Sequence, residues 1–351
     1  MIHKNTLQKN LVRKIIIILS ISLFYGNDIQ AQKYTGNITI ESQAQLDSLV
    51  QPNGKLYLKK EINGSIYVIA NDILNLDALS SITCLKGDLQ INSTSLTSLK
   101  GLDQIKSIGE LKISHNTNLT SLKGLDNLIS VKSIELFLNS SLTSLSDLSN
   151  LKKIDKYLSI DDNDALTSVS LSVTTIGEGL LIKNNNALTS LKGLQLSSVK
   201  DIVISSNAAL ESLVGLENIK DVDKGIFIYK NESLTSLKGI HNIVLIGGSL
   251  DIWGNESLAS FTNLKHLAYV GDELHIADNI TITNLNGLEH LVSAKKISIE
   301  NNTKVKDFCA INVMINSMHA KNKIKEFRLK YNKYNPTIVD FNNKKCSSDT
   351  Q

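Results

Sequence analysis

Gly109-Glu-Leu-Lys-Ile-Ser-His-Asn116-Thr-Asn-Leu-Thr-Ser-Leu-Lys-Gly124 returns, with substitutions, as Gly248-Ser-Leu-Asp-Ile-Trp-Gly-Asn255-Glu-Ser-Leu-Ala-Ser-Phe261. The stretch from Lys224 through Asn231 to Gly239 reads the same way. The shared unit is L-x-I-x-x-N-x-x-L-T-S-L-x-G-L-x-x-I-x-x-I. Its Asn recurs at Asn71, Asn116, Asn139, Asn163, Asn185, Asn207, Asn231, Asn255, Asn279 and Asn302, and one early coil carries Thr94 instead. From Asn116 onward the spacing is 22 to 24 residues. A period in that range is the signature of stacked repeats.

Two periodicities coexist in each unit. The L-x-I pair alternates as a strand with one buried face should. After the Asn, apolar residues fall at every third position, as in Leu142, Leu145, Leu148, Leu151 and Ile154. A period of three is neither α-helical nor extended, and suits a 3₁₀-like wall aiming one side chain in three at a common core. One coil of this kind cannot repay the entropy of ordering its own residues, so coils must stack. The expected fold is therefore an all-β, right-handed parallel β-helix or leucine-rich-repeat-like solenoid. It has about eleven coils, from Ile66/Val68 to Ile297/Ile299, with capped ends and a length of roughly 50 Å. The recurring Asn is expected to form a buried amide ladder that satisfies backbone groups at the turn.

This unit resembles a leucine-rich repeat, with N-x-x-L where the usual repeat has N-x-L. It is similar to the receptor L-domain family, the β-helical leucine-rich modules of insulin and EGF receptors, and most closely to the tandem forms in secreted bacterial proteins. The resemblance spans residues 36 to 346. Its entry, Gly36-Asn-Ile-Thr-Ile-Glu-Ser-Gln-Ala-Gln-Leu, reads as a strand (Ile38, Ile40) followed by a short helix capped by Ser42 with Gln45 three residues on. The chain shows no cysteine-rich module, membrane span or kinase, so hormone-receptor function is not carried over.

The ends read differently. Lys4, Lys9, Arg13 and Lys14 precede the apolar run from Ile15 to Phe24, and Ala31 follows a short polar stretch. That pattern is a secretory signal, cleaved after Ala31. The run falls short of the roughly 20 residues a spanning helix needs. The expected organisation is thus a signal peptide at 1–31, an N-terminal cap at 32–62, the repeat solenoid at 63–302 and a C-terminal cap at 303–351. The expected location is the cell surface, periplasm or surroundings of a bacterium. In the C-terminal cap, Cys309 to Met318 reads as a short helix and Phe327-Arg-Leu329 as one more strand, with Asn332 at the ladder offset. An exported compartment permits a Cys309–Cys346 disulfide. Cys84 is left as a half-buried free thiol beside inward Leu85, and no His or Asn is placed to activate it.

Charge narrows the functional classes. The chain holds 37 Lys+Arg against 34 Asp+Glu, a net charge of +3, and only Arg13 and Arg328 are Arg. Scarcity of the residue best suited to bidentate phosphate and carboxylate recognition argues against nucleic acid and nucleotides. Beyond residues 1–31 the count is 33 against 33, split into an acidic solenoid and a basic 303–351 segment. No nucleotide-binding or hydrolase motif occurs. His266 and His290 occupy equivalent outer-wall positions, with His241 one position earlier in its coil, and the register supplies no clear third ligand; Asp161-Asp162-Asn163-Asp164 lacks the Gly and Glu of a calcium loop. No metal and no cofactor is expected.

One column of outward-facing strand residues stands out. It is polar in the middle coils (Lys112 and Ser114, Ser159 and Asp161). It then runs through Leu181 and Val203 to Phe227 with Tyr229, Asp251 with Trp253, and His275. Aromatic rings beside hydrogen-bonding groups suit a sugar or a partner's hot spot, though cross-strand packing alone also produces such ladders. The expected role is a non-enzymatic, monomeric recognition module for a glycan or protein, binding through Phe227, Tyr229, Asp251, Trp253 and His275. A β-helix-type carbohydrate-active enzyme and a surface scaffold without a discrete ligand are the alternatives.

Overall fold

The computed structural model describes residues 32–350, so the signal peptide expected at 1–31 lies outside the described residues. Thirteen parallel strands, from β1 (Ile38–Ile40) to β13 (Glu326–Lys330), each pair in register with the next. Eleven of them, from the strand at Ile66 to that at Lys296–Glu300, carry the repeat. The all-β parallel solenoid is as the periodicity requires. Both ends continue the same ladder. β1 pairs with the strand Ile66–Ile69, and β13 pairs with Lys296–Glu300, so each cap supplies a rung.

The wall opposite the strands follows the expected period of three. Leu142 N–H donates to Asn139, Leu148 to Leu145 and Leu151 to Leu148, at 3.0–3.1 Å. These i→i+3 bonds advance the chain by one inward leucine per turn. Leu142, Leu145, Leu148, Leu151 and Ile154 are all fully buried. Where the wall comes closest to the preceding coil, glycine is required. A Cβ at Gly124, whose φ is +112°, would stand 2.0 Å from the Leu99 carbonyl oxygen.

The asparagines form the expected ladder, fully buried from Asn116 to Asn302. Asn207 is representative. Its Nδ2 donates to Ser205 O and to Ile182 O on the preceding coil, both at 3.0 Å, and its Oδ1 accepts from Asn185 N–H at 3.1 Å. The ladder continues through Asn332 and ends on Asn335, inside the C-terminal cap. Asn71 corrects the expectation, because it sits at the ladder offset yet is exposed. The next rung is Thr94, which spends its hydroxyl as a donor to Asn116 and has no amide carbonyl to accept from a preceding Asn. The ladder therefore starts at Thr94.

A feature absent from the pattern reading accompanies each rung. The residue before the Asn takes a left-handed backbone, as at His115 (φ 58°), Leu138 (54°), Lys230 (56°) and Asp278 (55°). L-residues resist that conformation by about 1–2 kcal/mol, and the Asn amide offsets the cost by capping the backbone groups that the turn strands.

The ends close as follows. At the N-terminus, helix α1 (Gln43–Ser48) is capped by Ser42, which accepts from Gln45 N–H. The Gln45 side chain reaches back to Glu41 N–H, one residue earlier than a standard capping box. At the C-terminus a 3₁₀ turn at Cys309–Ile311 leads into α2 (Asn312–Ala320), and Cys309 is joined to Cys346 as expected. Cys84 is free and half-buried, its Sγ 3.1 Å from the Ser107 hydroxyl. No helix among the described residues is long and apolar enough to cross a membrane.

Candidate functional site on the strand face

The five candidate residues come together on three adjacent strands, β9 (Ile226–Tyr229), β10 (Leu250–Trp253) and β11 (Glu273–Ala277). They lie in two rows. Phe227, Asp251 and His275 are register partners in one, and Tyr229 and Trp253 in the other. The inward residues between them, including Ile228, Ile252 and Ile276, are fully buried and fix the strand spacing. All five candidate side chains are half-buried.

Tyr229 and Trp253 stack on each other, with ring centroids 5.0 Å apart and planes 5° from parallel. That separation is close to the interstrand spacing, so one face of each ring is spent on the other. The register positions flanking the pair hold Ser205 and Ala277, which are only 3% and 5% exposed. Both flanking positions are covered, and the two ring faces turned toward each other are closed to a ligand. Lys230, thrown outward by its left-handed backbone, brings Nζ to 5.1 Å from the Trp253 ring centroid. Phe227 lies back over Gly225, where a Cβ would meet its ring at 2.5 Å.

Asp251 and His275 are paired, with Oδ1 and Nδ1 2.7 Å apart. An ionised carboxylate only accepts, so Nδ1 carries the proton. The hydrogen bond to Asp251 raises the imidazole's proton affinity above its ordinary range. Burial opposes the shift, and the charges of Asp251, Glu273 and Glu300 add to it. The pair thus holds the His275 imidazole with its Nδ1 proton directed at Asp251, in the row beside the aromatic pair.

The polar row extends further than the sequence reading took it. Beyond His275 come Ser298 on β12 (Lys296–Glu300) and Arg328 on β13. Arg328 bridges Glu300 at 3.3 Å and Glu326 at 2.7 Å, and the Ser298 hydroxyl donates to Glu300. Asp251, His275 and Ser298 thus stand in line, but the serine hydroxyl is directed at Glu300 and Ser298 is 6% exposed. That row is a charge network and not a nucleophile with its base. Continuing the column by two more strands finds Ser298 and then Arg328. Lys230 was hidden because its direction depends on the turn's backbone.

Among the described residues, no group of three or more His, Cys, Asp or Glu side chains is placed to hold a metal ion. No protein-family model matches the chain, and no curated protein is significantly similar to it. The resemblance to receptor L-domains therefore rests on the repeat unit itself.

Proposed function

We propose that the protein is an exported, non-enzymatic recognition module that docks a partner on the face formed by β9, β10 and β11. The observation that carries this reading is the Tyr229–Trp253 stack bordered by Lys230 and the Asp251–His275 pair. Trp and Tyr held rigid beside charged donors are the composition of interface hot spots. A protein partner is favoured over a single sugar, because sugar stacking needs an open ring face and here the rings are turned against each other. A glycan is the second reading, favoured by the hydrogen-bonding groups of Lys230, Asp251 and His275 around the ring edges.

Trp253 is the only Trp, so its fluorescence reports on this face alone. Titration with fractionated exported proteins and with a glycan library is expected to give a saturable change for a partner in the protein set. A Tyr229→Ala variant, which keeps the reporter, should weaken that partner's binding by about tenfold or more. Unchanged affinity in the variant would remove the face from the binding account. Release of reducing ends from polysaccharides would favour the enzymatic alternative.

A further inference from the structure

A cleft lies on the outer strand face of the middle coils, apart from the aromatic pair. There β4 (Ser107–Ser114), β5 (Ser130–Phe137), β6 (Tyr157–Asp161) and β7 (Gly179–Lys183) enclose a cleft of about 300 Å³. Its origin is the order of side-chain sizes along two register rows. One row runs Glu110, Ser133, Tyr157, Gly179, since Leu158 pairs with Ile134 and so sets Tyr157 beside Ser133. The other runs Lys112, Glu135, Ser159, Leu181. Small residues stand among large ones, so the two serines form a floor and the longer side chains form walls.

Gly179 determines how the Tyr157 ring lies. A Cβ there would come within 3.2 and 3.3 Å of the ring's Cδ1 and Cε1, so the ring rests over the glycine and leaves the space above Ser133 open. Tyr157 is 42% exposed and lines the cleft. Unlike Tyr229 and Trp253, it is stacked on no other ring among the described residues. An uncovered aromatic face is what the C–H side of a pyranose packs against.

The polar groups indicate which sugar. Glu110 pairs with Lys156 at 3.5 Å and Glu135 with Lys112 at 3.4 Å. The charges cancel, so an anionic ligand would meet as many carboxylates as ammonium groups. Both pairs are long and each has an exposed member, Lys156 in one and Glu135 in the other, and such pairs contribute little on their own. A hydroxyl can enter either one, accepting from the ammonium and donating to the carboxylate. Vicinal hydroxyls of a neutral sugar fit two such pairs beside one ring, and the volume is at the small end for ligand sites.

From these features we infer that the cleft binds a neutral mono- or disaccharide unit, with the ring of Tyr157 as platform and the Glu110–Lys156 and Lys112–Glu135 pairs as hydrogen-bonding clamps. The site is independent of the face proposed for the partner. Calorimetric titration of the mature chain with cellobiose, maltose and N,N′-diacetylchitobiose, and with glucuronate as the anionic control, tests it. At least one neutral sugar should bind, and Tyr157→Ala or the floor-filling Ser133→Leu should weaken it by about tenfold or more. Trp253→Ala should bind it as the parent does. An unchanged melting temperature in Ser133→Leu would show that the cleft was filled without damage to the fold. Absence of binding by all three neutral sugars at millimolar concentration would overturn the inference. So would tighter binding of glucuronate, or affinity indifferent to both cleft substitutions.

Discussion

The asparagine ladder and the aromatic rows run side by side, two residues apart in the chain. Asn231 follows Tyr229 and Asn255 follows Trp253, yet the two columns obey opposite rules. The ladder repeats one residue on ten successive rungs, from Asn116 to Asn332, almost wholly out of water. The outward rows change at every strand, passing from the Lys112–Glu135 ion pair to Leu181, Val203, Phe227, Asp251 and His275. A column whose job is to hold coil on coil must present the same group each time, because each rung is both donor and acceptor to its neighbours. A column facing solvent carries no such constraint. Variation there is free to build a cleft in one place and a ridge in another.

The comparison breaks most visibly at the ladder. Asn207→Ala removes the acceptor for Asn185 N–H and the side-chain donor to Ile182 O, while Ser205 O keeps only its bond from Asn184 N–H. Buried groups stranded in this way cost about 1–3 kcal/mol each, so a loss of about 3–5 kcal/mol is expected in chemical denaturation. Asn71→Ala, at the same repeat offset but exposed, should stay within about 0.5 kcal/mol of the parent. Equal effects at the two positions would refute the ladder as the source of stacking stability.

Somewhat smaller is the effect of opening the C-terminal closure. Replacing Cys309 and Cys346 by Ser frees a loop with a sequence separation of 37, and about 2–4 kcal/mol should be lost. Hydrogen exchange should locate the loss in α2 and β13, with the middle coils retaining their protection. Uniform loosening along the whole solenoid would show that the closure acts globally.

The smallest expected effect belongs to the outward rows, and it depends on pH. Folding raises the proton affinity of His275 above its ordinary value of 6.5. The Asp251–His275 pair therefore stabilises the fold fully below that value, and the contribution fades as pH rises through the higher folded-state value. Melting temperatures of the parent and of His275→Gln should differ most near about pH 5–6 and converge by about pH 9. A difference that grows with pH would mean that the neutral ring is the stabilising form.

Much of this was legible in the sequence because repetition fixes register. Once Leu111 and Ile113 are matched to Leu250 and Ile252, every outward residue falls into a column, and Tyr229 must stand beside Trp253. The Cys309–Cys346 pairing and the strand at Phe327–Leu329 followed from where the pattern stops and resumes. Orientation was not legible. Nothing in a column says whether two rings turn their faces to solvent or to each other, since χ angles depend on neighbours such as Ser205 and Ala277. The left-handed backbone at Leu138 and Lys230 was hidden for a related reason, because leucine and lysine are not residues that announce it. The polar row reaches Arg328 through the strand at Phe327–Leu329 even though the insertion of α2 lengthens the last ladder step to 30 residues.

The most direct test of the separation between a stacking column and a recognition column is a paired measurement on Trp253→Ala, with stability and partner binding read on one preparation. Loss of the stacked ring should cost about 1 kcal/mol of stability, the scale of one aromatic pair, while surface-immobilised partner ceases to bind. If the variant instead binds its partner with the parent's affinity, whatever happens to its stability, the Tyr229–Trp253 pair is a sheet-stiffening contact and the face is not the recognition surface.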